Sequence, residues 1–414
     1  MSRPLGGMFR SLRIYNYRVW AAGAIVSNIG TWMQRTAQDW LVLTQLTHKN
    51  ATAVGVVMAL QFGPQVLMLP FTGYAADHFD RRKLLFATQA TLGALALGLG
   101  LLTVTGLVRL WEVDVFAFLL GCAAAFDAPA RQTFVSELVG EAELSNAVGL
   151  NSTSFNIARM VGPAVAGVLI AMIGTGPVFL LNGASYVAVL ISLSLLRIGE
   201  LHRKERAPAT RGHLIEGFRY VLNRPDLKAV LTMLCLVGMF GLNFPIYIST
   251  MSATVFHAGA SQYGLLTSMM AIGSITGALL AAQRERPNIH LLLIGTLAFG
   301  TGFTLASLMP SYWTFGLSLI LIGVSAQTLT TSSISLVQLA TEPAMRGRVM
   351  AILLAITLGG TPIGAPIVGR IADTFGPRWA LAVGASASFL AAIILLQYLS
   401  RSSSDEKSLP ETAP

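Results

Sequence analysis

Long apolar runs alternate with short polar or charged breaks along almost the whole chain. A bilayer core about 30 Å thick is crossed by roughly 20 apolar residues in helical conformation. On that measure the pattern predicts spans near 18–46, 52–74, 84–106, 112–134, 146–173, 177–197, 227–256, 262–283, 289–308, 313–339, 348–373 and 379–399. Strands of a membrane barrel would alternate polar and apolar residues over segments of about 10, and no such alternation is found. The expectation is an all-α membrane protein of twelve transmembrane helices. Composition agrees: 54% of residues are hydrophobic, 11% are charged and the mean hydropathy is +0.65, which excludes an ordinary soluble domain.

The basic opening MSRPLGGMFRSLRIYNYR runs into a long apolar segment that carries Arg35 and Asp39 and lacks a small-residue cleavage site. It reads as a retained first span, not a signal peptide. The net charge of +9 would point to nucleic acid in a soluble protein, but its placement orients a membrane chain instead. Lys49, Arg109, Arg370 and Arg378 fall on one side, Arg35 and Arg159 lie within spans, and the rest of the 28 Lys and Arg collect on the other side. Both termini are therefore expected in the cytoplasm. Cys122 and Cys235 both fall inside spans, which supports neither a disulfide framework nor a metal site.

The longest interior break starts at Arg197 and is charged and Pro-containing, so it reads as a linker between two halves. The expected organisation is an N-terminal six-helix bundle over 1–197 and a cytoplasmic linker over 198–226 with a short amphipathic helix near Leu214–Leu222. A C-terminal six-helix bundle over 227–399 and a disordered cytoplasmic tail over 400–414 complete it. GPAVAG at 162–167 recurs as GAPIVG at 364–369, and each is followed at a similar offset by NGAS or VGAS. Such duplication predicts two pseudo-symmetric bundles with a cavity between them that opens to each side in turn.

Three stretches carry a resemblance. GYAADHFDRRKLL, residues 73–85, places Gly73, Asp77, Arg81 and Arg82 between two spans; in the fifth span Gly149, Ala158, Gly162, Pro163, Ala166 and Gly167 keep a small-residue spacing; and FDAPARQTFVSELVGEAELSNAVGLNSTSFNIARMVGPAVAG covers 126–167. Together they resemble the major facilitator superfamily over essentially the whole chain, within a bacterial branch that includes macrolide exporters and the enterobactin exporter. The resemblance implies a transporter of the bacterial cytoplasmic membrane. Asp80 stands where that signature has glycine, and His78 where it has Arg or Lys. In the second half Ala281 stands at the aspartate position, which predicts a weaker latch there.

The resemblance also implies a latch that closes the cytoplasmic side, with Asp77 docking on the start of span 11 near Gly347–Val349 and Arg81 pairing with Asp127. A carboxylate at a helix N-terminus gains about 0.3–2 kcal/mol. Asp127 also lies four residues before Arg131, the favoured order for a helical pair. The plainer reading makes Arg81, Arg82 and Lys83 topology anchors.

Ionisable groups inside a span face a cavity or a partner. Asn28, Trp32, Arg35 and Asp39 share one face of span 1, and Ser152, Asn156 and Arg159 one face of span 5. Asp39 is the expected proton carrier, with Arg35 and Arg159 as coupled cations. The plainer reading has Arg35 and Asp39 neutralise each other and Arg159 serve carbonyls freed by Pro163. Gly149, Gly162, Pro163 and Gly167 are expected to set helix packing and gating. Gln61 and Gln65, Met239, Asn243 and Tyr247, and Gln327 and Thr331 form polar stripes that would line a substrate cavity or simply pack.

The leading expectation is export of small amphipathic, drug-like molecules in exchange for protons, by a monomer in the lipid bilayer without cofactor, metal or nucleic acid. An anionic siderophore or a lysophospholipid is the alternative cargo. Two intramembrane arginines against Asp39 do not favour a multiply cationic drug. HExxH, Walker-type and GxSxG motifs are missing from the sequence, so an enzyme or a nucleotide-driven pump is not expected.

Overall fold

The computed structural model describes residues 9–68, 71, 72, 75, 79–202, 214–283 and 287–407. They are helical nearly throughout. The helices are α1 (Tyr15–Trp40), α2 (Ala51–Leu67), α3 (Arg81–Val104), α4 and α5 (110–139 and 141–173, within Leu110–Ile173), α6 (Thr175–Ser194) and α7 (Leu214–Leu222). They continue with α8 (Pro225–Leu236), α9 (Phe244–Thr250), α10 (Ala260–Ala282), α11 (Ile289–Leu308), α12 (Tyr312–Ala340), α13 (Pro343–Phe375) and α14 (Pro377–Lys407). Among the described residues, nine helical stretches are long and apolar enough to cross a membrane.

Polar side chains set the helix starts. The Asn50 carboxamide accepts from the Ala53 amide at 2.9 Å, and Asn288 does the same for Leu291 at 2.9 Å. Asp80 Oδ1 accepts from the Lys83 amide at 3.1 Å, so the residue that departs from the family signature is the N-cap of α3. Wide π-helical turns continue α1 (Leu41–Leu46) and follow α8 and α9 (Val237–Gly241 and Met251–Val255).

Three boundaries differ from the sequence expectation. The break expected between 134 and 146 is reduced to Gly140, whose φ of +69° turns the chain between α4 and α5. Its charged residues stay helical because they find partners, Glu137 with Arg81 and Glu143 with Arg10. α13 begins at Pro343, ahead of the expected start near Gly347, with Pro at its first position. α14 runs to Lys407, past the tail boundary expected at residue 400, since no Gly or Pro interrupts the chain before Pro410. Gly140→Ala is expected to cost about 1–2 kcal/mol, because a side chain disfavours the left-handed conformation; thermal unfolding in detergent measures it.

The described residues form two compact units, one of 1–209 with 257–268, the other of 210–256 with 269–414. In the first unit Tyr17, Trp20, Leu85, Phe134, Leu138, Val189 and Leu193 bury together, with Trp20 edge-on to Phe134 at 5.5 Å. In the second, Phe299 and Phe303 meet at 4.9 Å and Tyr247 packs edge-on to Phe303 at 5.2 Å. The internal packing of the units is parallel. A side chain on Gly121 of α4 would strike the Gln61 carbonyl of α2, and one on Gly323 of α12 would strike the Met270 carbonyl of α10. Likewise α6 lies on α3 and α14 on α11.

Candidate functional site

The face shared by Asn28, Trp32, Arg35 and Asp39 forms in α1, but its members are engaged at different levels of the first unit. Asp39 is buried, and its Oδ2 accepts a 3.2 Å hydrogen bond from the Tyr263 hydroxyl. The Tyr263 ring stacks on Trp40, with centroids 5.6 Å apart and planes 19° off parallel. Tyr263 lies in the 257–268 segment that groups with the first unit. No ion pair joins Asp39 to Arg35 or Arg159 among the described residues, so the close Arg35–Asp39 pair of the plainer reading is not formed.

The two guanidinium groups converge instead on an indole. Arg35 lies over the Trp32 ring at 5.0 Å and near Phe62 at 5.7 Å, and Arg159 lies over Trp32 at 5.7 Å. Buried Arg35 Nε has no hydrogen-bond partner among the described residues. Cation–π attraction replaces part of the lost hydration of each cation, but it does not neutralise them. The cluster therefore presents positive charge and an aromatic surface together. Phe155 meets Trp32 edge-on at 5.8 Å and extends that surface.

The small residues of α5 do packing work. A side chain on Gly162 would strike Trp32 and the Ile29 carbonyl of α1, and one on Gly167 would meet Ala260 and Ser261 of α10. Gly264 of α10 answers from the other side, since a Cβ there would strike the Pro163 carbonyl. Gly149 faces open space. Ser268 donates to the Met160 carbonyl at 2.6 Å, beside the carbonyl of residue 159 that Pro163 cannot engage.

At the Arg81 end of α3 the charges pair differently from the expectation. Asp127 Oδ2 accepts from Arg131 Nη2 at 3.0 Å and Nε at 3.2 Å, while Oδ1 accepts from Thr88 at 2.8 Å and Gln89 at 2.7 Å. Arg131 Nη1 also donates to Asn28 Oδ1 at 3.0 Å, which ties α4 to α1. Arg81 does not reach Asp127; its Nη1 donates to Glu137 Oε1 at 2.6 Å. The reason is register. α3 and α4 run antiparallel, Asp127 is level with Thr88 and Gln89, and seven residues along a helix amount to about 10 Å. Arg82 donates to the Leu193 carbonyl of α6 at 2.8 Å. Gly73, Asp77 and His78 lie outside the described residues.

The Arg81–Glu137 side chains are 19% and 13% exposed, so their pairing is expected to couple by about 1–3 kcal/mol in a double-mutant cycle. Thermal unfolding of Arg81→Gln, Glu137→Gln and the double variant measures it.

The remaining stripes are tied up locally. Gln65 donates to the Gln61 carbonyl at 3.2 Å, Asn156 to the Ser152 carbonyl at 2.9 Å, and Gln327 to the Thr331 hydroxyl at 3.1 Å. In the second unit Asn243 is fully buried and donates to the Met239 carbonyl at 2.7 Å, while the Tyr247 hydroxyl donates to the Phe240 carbonyl. Sequence reasoning missed Tyr263, Thr88, Gln89 and Glu137. Glu137 carried a signal as a charge beside a span; Tyr263 looked like any aromatic in an apolar helix.

Comparison with known proteins places this arrangement. The family of transmembrane secretion effectors matches residues 7–412. The staphyloferrin A transporter of Staphylococcus aureus is 25% identical over 353 residues, covering 84% of this chain and 87% of its own. Macrolide efflux protein A of Streptococcus pyogenes is 23% identical over 385 residues, covering 91% and 94%. Among solved structures, a bacterial homolog of the human lysosomal transporter Spinster, captured inward-facing and occupied, aligns with a TM-score of 0.72 at 15% identity over 96% of this chain and 97% of that one. The chain belongs to the transmembrane secretion effector family of the major facilitator superfamily and is a multi-pass membrane transporter.

Proposed function

We propose that the protein is a secondary active exporter of small amphipathic molecules that works by alternating access in exchange for protons. Twelve spans would form two related bundles, 1–197 and 227–399, joined by the 198–226 linker, with both termini on the cytoplasmic side of a bacterial inner membrane. Support for the count comes from the nine apolar stretches, from the break at Gly140 that makes two helices of the longest, and from α1 and α2, which add two more. The parallel packing of Gly121 and Gly323 supports the repeat. Export is what the names of the relatives describe, for enterobactin and for macrolides among others.

The observation that carries the coupling is Asp39: a buried carboxylate on α1, free of any ion pair among the described residues and held by one hydroxyl. A group so placed exchanges a proton without first breaking a salt bridge. Arg81, Arg82, Asp127 and Arg131, with Gly73 and Asp77, form the proposed cytoplasmic closure. A second reading, favoured by Arg35 and Arg159 on Trp32, gives the amphipath an anionic group.

Reconstituted protein is expected to accumulate a neutral substrate about tenfold per unit of imposed pH gradient for one-to-one exchange, since each unit is worth about 1.4 kcal/mol per proton. ATP-dependent flux without a gradient would overturn the reading. Faster flux of an anionic than of a neutral amphipath, lost in Arg35→Gln and Arg159→Gln, selects the second cargo.

A further inference from the structure

The start of α10 is fastened to α1 and α5 by contacts that the transport reading leaves unused. Tyr263 donates to Asp39 and stacks on Trp40. Two residues before it Ser261 donates to the Gly167 carbonyl at 3.3 Å, and five residues after it Ser268 donates to the Met160 carbonyl at 2.6 Å. Gly264 rests against Pro163 with no room for a side chain. These contacts differ in kind. Carbonyls and glycines do not change with pH, whereas Asp39 does, so one of the fastenings responds to a proton.

We propose that Tyr263 is a positioning residue for proton exchange: its hydroxyl ties the start of α10 to α1 while Asp39 is ionised, and neutralisation of Asp39 loosens the tie. A carboxylate accepts a stronger hydrogen bond than a neutral acid does. The inference rests on the assignment of Asp39 as the proton carrier and adds the element that its protonation moves. The ionisable groups nearest Asp39 among the described residues are Tyr263 on α10 and Arg35 on its own helix; further along α1, Arg159 of α5 shares the Trp32 ring with Arg35, and Tyr186 of α6 bonds Thr31 at 3.2 Å. Tyr263 is the one that touches the carboxylate. It also keeps a ring contact when its hydroxyl is removed, which separates the bond from the packing.

The test uses the full chain in nanodiscs with Cys122→Ser, Cys235→Ser and Ser261→Cys, and follows the rate at which a sulfonated maleimide labels residue 261. In the otherwise native protein labelling is expected to accelerate as pH falls. Tyr263→Phe is expected to label fast at all pH values, by on the order of 10- to 100-fold over the high-pH rate, the equivalent of one lost bond to a charged acceptor. Asp39→Asn should behave alike, and the double variant should label no faster than either. A Tyr263→Phe protein that keeps the native pH profile, or a double variant in which the effects multiply, overturns the role of Tyr263. If Asp39→Asn alone flattens the profile, the proton site stands and only the tie falls. If neither variant changes it, both fall.

Discussion

Asp39→Asn is expected to abolish gradient-driven export and to leave exchange of substrate across the membrane at equilibrium intact. The amide is nearly isosteric, so the packing around α1 is kept even though a neutral acceptor holds the Tyr263 hydroxyl more weakly than the carboxylate does. It carries no exchangeable charge, so a proton cannot be traded for substrate at this position. In proteoliposomes the accumulation ratio should drop from about tenfold per pH unit to one, since each unit of gradient supplies about 1.4 kcal/mol for a single coupled proton. Counterflow, which needs only binding and alternation, reports whether the variant is otherwise competent. Unchanged accumulation in Asp39→Asn would remove this residue from coupling.

The second large effect is on stability. Asp127→Ala is expected to cost about 3–5 kcal/mol, the usual loss when one partner of a buried ion pair is removed. The side chains of Arg131 and Asp127 are 17% and 9% exposed, and the carboxylate takes hydrogen bonds from Arg131, Thr88 and Gln89. Its removal strands the guanidinium, which is left with Asn28 and the face of Trp20. Asp127→Asn with Arg131→Gln should recover much of the loss, because two neutral amides of similar shape leave no buried charge. Thermal unfolding of the purified variants in nanodiscs decides it. An Asp127→Ala protein as stable as the native one would show that the pair contributes nothing, whatever its geometry.

Asp80 shows how a departure from a family pattern acquires a physical reason. A glycine at that position would leave the first turn of α3 uncapped, whereas the aspartate accepts from the Lys83 amide. Arg378 offers a comparable case: it looked like a topology charge, yet it donates to the Ser307 and Met309 carbonyls at 2.6 and 3.0 Å and closes the end of α11. In both instances the residue type was visible in the sequence and its partner was not.

Chain sequence alone determined the environment and the elements. Apolar runs of bilayer length have one low-energy form in a membrane, because every backbone amide must be satisfied within its own helix. Asp39, Arg35, Arg159 and Asp127 were legible for the same reason: a charge in such a run stands out against its surroundings. Who pairs with whom was decided only by tertiary structure. Helical spacing puts Arg35 and Asp39 one turn apart on α1, but whether they meet depends on what neighbouring helices offer, and Tyr263, more than two hundred residues away, is the group that touches Asp39. Arg81 reaches Glu137 and not Asp127 because the register of two antiparallel helices sets the level of each charge. Periodicity along one helix carries no information about that register, which close packing of small residues and side chains between helices establishes.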